Sequence, residues 1–217
     1  MAFIRDHMII DPSLQADIIA RVIAGDFGDE PAQAVNALGR VTLPDGKTVN
    51  LFARHAADPV ILDAFGQVVL VTRRHNPGAG KLALPGGFID EVDGKPEAGM
   101  AAAMREAMEE TGISPETLAG ARKFVVGPRI FDRKFDIRSA WNNLPGTRIM
   151  PQDIFTVSTR GYGFFLSGDL LKETLVAGDD AGAVSVVKIA SLMREDLSAP
   201  DHLAMITAAS AMVRGWV

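Results

Sequence analysis

Arg105-Glu106-Ala107-Met108-Glu109-Glu110-Thr111-Gly112 is the stretch from which the rest of the chain can be read. On a helix, residues three and four apart share a face, so Glu106, Glu109 and Glu110 project from one side of its final turn. A helix C-terminus already carries partial negative charge, and each anion placed there costs roughly 0.3–1 kcal/mol. Mutual repulsion adds up to about 4 kcal/mol for charges ~4 Å apart at an effective dielectric near 20. A divalent cation reverses that sign. Hard ions such as Mg²⁺ take carboxylate oxygens together with waters and the phosphates of a substrate. The turn is therefore read as a metal site, in preference to a solvated acidic face.

The neighbouring residues mark a helix. Pro96 suits a first helical position, Ala98 and Ala101-Ala102-Ala103 have high helix propensity, and Gly112 suits the left-handed residue that ends a helix. Met100, Ala103, Met104, Ala107 and Thr111 recur at three- and four-residue spacing and are predicted to face the core, leaving the glutamates towards the site. Arg105 can reach Glu109 one turn on and Glu97 two turns back, where it would orient and balance charge. Upstream, Leu84-Pro85-Gly86-Gly87-Phe88 follows a strand-like stretch, Glu97 lies eight residues before Arg105, and Gly112-Ile113 closes the run.

This arrangement resembles the Nudix box: Gly, five residues, Glu, seven residues, Arg-Glu, a hydrophobic residue, any residue, Glu-Glu, any residue, Gly, a hydrophobic residue. It departs from the box at one place, with nine residues between Gly87 and Glu97 instead of five. The extra residues fall in Asp90-Glu91-Val92-Asp93-Gly94-Lys95-Pro96, which has turn chemistry. Lengthening a loop costs about 0.6 kcal/mol per doubling, so the helix and its glutamates are expected to be unaffected. The register of Glu97 is the part put in question, and Glu91 or Asp93 would be placed to share its role.

Either side of the box the pattern continues. Val60 to Asp63, then Ala64-Phe65-Gly66-Gln67, then Val68 to Thr72 read as strand, turn, strand, with continuous apolar runs that imply burial on both faces. The following Arg73-Arg74-His75-Asn76-Pro77-Gly78 and Leu82 to Phe88 look like the Nudix portion of bifunctional nicotinamide mononucleotide adenylyltransferases and their ADP-ribose-directed relatives. Gly178 to Ala183 leading into a strand, and Leu197 to His202 leading into a last helix, fit that group. Pro12 to Ala24 reads as an amphipathic helix, and Val41 to Phe52 alternates around Asp45-Gly46 as a hairpin. His-x-Gly-His, the nucleotidyltransferase motif, does not occur around His7, His55, His75 or His202, so the transferase half is not expected.

The fold expected is α/β: a Nudix-type α/β/α sandwich around a mixed sheet, residues 57–217, preceded by a helix and hairpin extension, residues 1–56, that would serve as a dimer contact. With 217 residues, 47% of them hydrophobic, the chain can bury one sizeable core. The absence of cysteine fits a reducing compartment, and no signal peptide or apolar run of about 20 residues is apparent. Cytoplasm is the expected location, without a membrane partner. A net charge of −5 argues against nucleic acid as a partner.

The resemblance implies hydrolysis of a nucleoside diphosphate linked to another moiety, with ADP-ribose, cleaved to AMP and ribose 5-phosphate, as the first substrate. A nucleotide-sugar or NADH-type dinucleotide pyrophosphatase is the second reading, and a catalytically silent ADP-ribose sensor the third. Glu106, Glu109 and Glu110, with the backbone carbonyl of Gly86, would hold Mg²⁺ or Mn²⁺, Arg105 would orient them, and Glu109 or Asp153 would be the general base. Gly87, Glu97 and Gly112 would serve the box structurally. Gly127 to Thr159 is locally basic, and Arg129, Arg133, Arg138 and Arg148, with Arg74, are its candidate phosphate or ribose contacts.

Overall fold

The alternation around Asp45-Gly46 forms the predicted hairpin: β1 (Val35–Thr42) pairs antiparallel with β2 (Thr48–Asp63), Thr42 opposite Thr48. The computed structural model describes residues 16, 20–21, 30–42, 46–75, 78–131, 154–178 and 181–216. The helix expected over Pro12 to Ala24 lies mostly outside these; Ala16, Ala20 and Arg21 are helical.

β2 turns into β3 (Gln67–Arg73) through a corner fixed by one acid. Asp63, 3% exposed, accepts from the amides of Phe65 and Gln67, each at 2.9 Å, from Gln67 Nε2 at 2.7 Å and from the Leu170 amide at 3.0 Å. Four donors satisfy a carboxylate that burial would otherwise penalise. The apolar runs flanking this corner are fully enclosed, as Val60 to Leu62 and Val68 to Leu70 show.

Short strands β4 (Leu82–Ala83) and β5 (Gly87–Phe88) bracket the Leu-Pro-Gly-Gly turn. The lengthened loop after them is a second hairpin, β6 (Glu91–Val92) with β7 (Lys95–Pro96). Its turn residues Asp93 and Gly94 both have positive φ, 53° and 73°, as a type I′ turn requires. The Glu97 amide donates to Asp90 O at 2.9 Å, and Glu97 Oε1 accepts from the Asp90 amide at 3.1 Å, which closes the base of the hairpin. This corrects the expected helix start. Pro96 belongs to a strand, and α1 spans Gly99–Thr111.

After α1 come α2 (Pro115–Gly120), β8 (Arg122–Phe131), β9 (Ile154–Leu166), β10 (Ala181–Lys188) and α3 (Pro200–Val213). Gly127 to Thr159 is thus strand at both ends, and residues 132–153 lie outside those described. The strands pair in the order β10-β3-β2-β9-β8, with β1 and β5 on β2 and β4 on β3, giving an α/β fold around a mixed sheet.

The chain forms two compact units. One comprises Met1–Ala56, Phe88–Ala98 and Arg129–Thr159. In it Phe52 stacks on Phe155 with ring centroids 5.4 Å apart, and the Arg54 guanidinium lies 3.7 Å from the Phe88 ring centroid. The other comprises Ala57–Gly87, Gly99–Pro128 and Arg160–Val217. There α1 packs on β3 and β10. Its buried face is Gly99, Ala102, Ala103, Ala107 and Thr111, all small, while Met100 and Met104 are only partly buried. Small residues let the helix backbone approach closely, and at Gly99 a Cβ would run into the buried Tyr162 side chain. Among the described residues no helix is long and apolar enough to cross a membrane.

Candidate active site

The last two turns of α1 carry three glutamates and one arginine, a formal charge of −2, and three features of their own unit hold the helix end in place. Thr111 Oγ1 donates back to Ala107 O at 2.5 Å. Gly112, at φ 65°, takes the left-handed conformation after the helix, with its amide on Met108 O at 3.0 Å. The carbonyls of Thr111 and Glu110, which have no partner within a helix, accept from the amides of Val176 at 2.8 Å and Gly178 at 3.2 Å. At Gly178 a Cβ would strike the Glu109 carbonyl, so only glycine permits this approach.

The glutamate side chains divide between two supports. Glu110 Oε2 accepts from the Gly86 amide at 3.1 Å. Glu106 lies against Gly87, where its carboxylate occupies the space of a Cβ. Arg105 Nη1 donates to Glu106 Oε1 at 2.6 Å and to Glu109 Oε2 at 3.1 Å, so it spans two of the three acids. Glu106 is sheltered, with a side chain 12% exposed, whereas Glu109 is 59% exposed. The short Arg105–Glu106 contact is a charge-assisted pair at partial burial.

Asp58 went unnoticed in the sequence. Its carboxylate occupies the space of a Cβ at Gly86, as Glu106 does at Gly87. The available signal was an acid inside an otherwise apolar stretch, Ala56-Ala57-Asp58-Pro59-Val60, within a strand buried on both sides. Arg74 and His75 follow β3 and are exposed. Glu97 sits in the β6–β7 hairpin of the other unit. Arg129 lies on β8, and Arg133, Arg138, Arg148 and Asp153 fall outside the described residues.

These donors fit a hard divalent cation in kind: carboxylate oxygens from one helical turn beside a glycine turn with no side chains of its own. Among the described residues, no group of three His, Asp or Glu side chains is gathered tightly enough to hold an ion. Glu109 is the acid held only by its exposed contact with Arg105, and rotating that side chain is what would complete a three-carboxylate set.

His202, near the start of α3, accepts from the Leu84 amide through Nδ1 at 3.2 Å. Burial of the ring, reinforced by the Arg73 charge, holds its pKa down to about 4 from 6.5. Folding therefore favours the neutral ring. Its contribution to stability is complete above pH 6.5 and is lost as the pH falls from 6.5 towards 4, about 3 kcal/mol in all. Urea unfolding of the native protein at pH 7.5 and 4.5, set against the same pair for His202→Asn, should show that the variant lacks this part of the acid loss; equal losses in both would contradict it.

Carboxylates near the end of one helix beside a glycine turn, on an α/β scaffold, point to the class. The chain belongs to the Nudix family, whose NUDIX domain model matches residues 53–195. Its fold is similar to the Nudix domain of Shewanella oneidensis NrtR complexed with ADP ribose, at 21% identity over 73% of this chain and 87% of that one, TM-score 0.51. A bifunctional NMN adenylyltransferase/ADP ribose pyrophosphatase from Francisella tularensis, complexed with AMP and a manganese ion, matches at 20% identity over 92% of this chain, TM-score 0.47. The match spans 47% of that protein's length. A C. elegans Ap4A hydrolase matches at 15% identity, over 74% of this chain and 98% of that one, TM-score 0.47. No curated protein matches the chain in sequence.

Proposed function

We propose that the chain hydrolyses the pyrophosphate bond of ADP-ribose to AMP and ribose 5-phosphate, with Mg²⁺ as cofactor and Mn²⁺ as its substitute. The observation that carries this reading is the α1 turn, on which Glu110 is held by the Gly86 amide, Glu106 lies on Gly87 and Arg105 spans Glu106 and Glu109. A bound divalent cation supplies charge neutralisation of the diphosphate and activation of a water. The protein's own part is positional. Glu106, Glu109, Glu110 and the Gly86 carbonyl would hold the cation, with Asp58 packed on Gly86, and Arg105 would set the orientation of Glu106 and Glu109. Glu109, the exposed acid of the turn, or Asp153 would take the proton. Arg74 would contact the nucleoside diphosphate, while Arg129, Arg133, Arg138 and Arg148 stand as candidates from the sequence alone.

ADP-ribose is favoured within the class because the NrtR domain, whose fold the chain shares, is described as an ADP-ribose complex. The intact glutamate turn favours turnover over silent binding. The same reading gives residues 57–217 to the hydrolase domain, places the enzyme in the cytoplasm and assigns 1–56 to a homodimer contact, which a monomer in sedimentation equilibrium would remove.

The test is a panel of ADP-ribose, NADH, diadenosine polyphosphates, sugar nucleotides and nucleoside triphosphates, each with Mg²⁺ and with chelator. ADP-ribose should give the highest kcat/KM, and chelator should abolish turnover. Faster cleavage of NADH or a sugar nucleotide would move the assignment to that substrate, and binding of ADP-ribose without metal-dependent turnover would make the chain a sensor.

A further inference from the structure

Leu84-Pro85-Gly86 approaches the glutamate turn with only two amide hydrogens, because Pro85 has none. Each is taken by a side chain from a different helix. The Leu84 amide, on a residue 4% exposed, donates to His202 Nδ1 at 3.2 Å. The Gly86 amide donates to Glu110 Oε2 at 3.1 Å. A buried amide without an acceptor costs about 1–3 kcal/mol, so the His202 contact constrains where this backbone can lie. The segment before His202 adds to the constraint. Leu197, 3% exposed, bridges Leu82 in parallel, and the Ser198 amide donates to Leu82 O at 2.8 Å. Ser198 also packs so closely on Gly78 that a Cβ there would collide with it.

We propose that His202 is a positioning residue for the hydrolase: through the Leu84 amide it fixes the Leu84–Gly87 turn and so sets the Gly86 N–H that orients Glu110. Nothing in this requires His202 to touch substrate or cation. The inference rests on the metal-site reading for its effect on turnover, but the backbone coupling itself can be measured without it.

His202→Leu removes the acceptor, whereas His202→Asn places an amide oxygen close to where Nδ1 stood. In His202→Leu the Gly86 amide, two residues from the contact, should exchange at least tenfold faster in hydrogen-exchange NMR. Mn²⁺ affinity, read from free Mn²⁺ by electron paramagnetic resonance without substrate, should weaken roughly 10–100-fold, as for other residues that orient metal ligands. kcat should fall by a similar factor with KM for ADP-ribose within about twofold, and His202→Asn should recover most of each loss. Unchanged Gly86 exchange in a folded His202→Leu, or equal damage in both variants, overturns the proposal. If neither variant folds, ¹⁵N spectra of the native protein decide. An unprotonated Nδ1 with the proton on Nε2 supports the contact, and a protonated Nδ1 overturns it. Native protein that binds no Mn²⁺ and cleaves nothing would instead sink the hydrolase reading, leaving the exchange result to judge this one.

Discussion

Glu110→Gln is expected to fold normally and to lose about 10²–10⁴ of its kcat, the range typical of removing a group that acts on the reacting centre. The substitution separates two roles of one side chain. Glutamine keeps an oxygen that can accept from the Gly86 amide, now made at 3.1 Å, so the turn stays anchored. What it removes is negative charge, and a hard cation binds an amide oxygen far less well than a carboxylate. Glu110→Ala removes both and should add a stability loss of about 1–3 kcal/mol, from the Gly86 amide left without its acceptor. Thermal melts beside kcat measured over a Mg²⁺ series give the readout. Full activity of Glu110→Gln at ordinary Mg²⁺ would show that the charge at this position is not used.

Gly87→Ala is expected to be nearly silent in stability and severe in activity. The new methyl would stand where the Glu106 carboxylate now lies, so that side chain must swing away. It is the far end of a flexible chain, and no backbone atom of another element is among its nearest neighbours, so folding should change by less than about 1 kcal/mol. Moving Glu106 also breaks its contact with Arg105, which at 2.6 Å is shorter than the 3.1 Å contact of Arg105 with Glu109. A fall in kcat/KM of roughly 10–100-fold with a weaker metal response should follow. An active Gly87→Ala would mean that Glu106 can leave its place without consequence.

How far the sequence could be read depended on the distance between the residues involved. The glutamate turn was legible because helical spacing alone puts Glu106, Glu109 and Glu110 within one turn, and Gly112 marks its end. The β1–β2 hairpin was legible from Asp45-Gly46, and the Asp63 corner from the turn residues between two apolar runs. The same Asp-Gly rule applies at Asp93-Gly94, where the hairpin it forms takes in Pro96 and moves the helix start to Gly99. Asp58 and His202 were not assigned because their partners are remote along the chain. Leu84 and His202 are 118 residues apart, and no local pattern encodes which strand end a helix start will meet.

The self-contained β6–β7 hairpin bears on how relatives are recognised. Its ends are tied to each other by Asp90 and Glu97, so residues can be gained or lost at its tip without pulling on either flank. Signatures written with a rigid count between the glycine and the first glutamate will pass over chains built this way. Those anchored on the Arg105 to Gly112 run, with the upstream interval left to float, will find them.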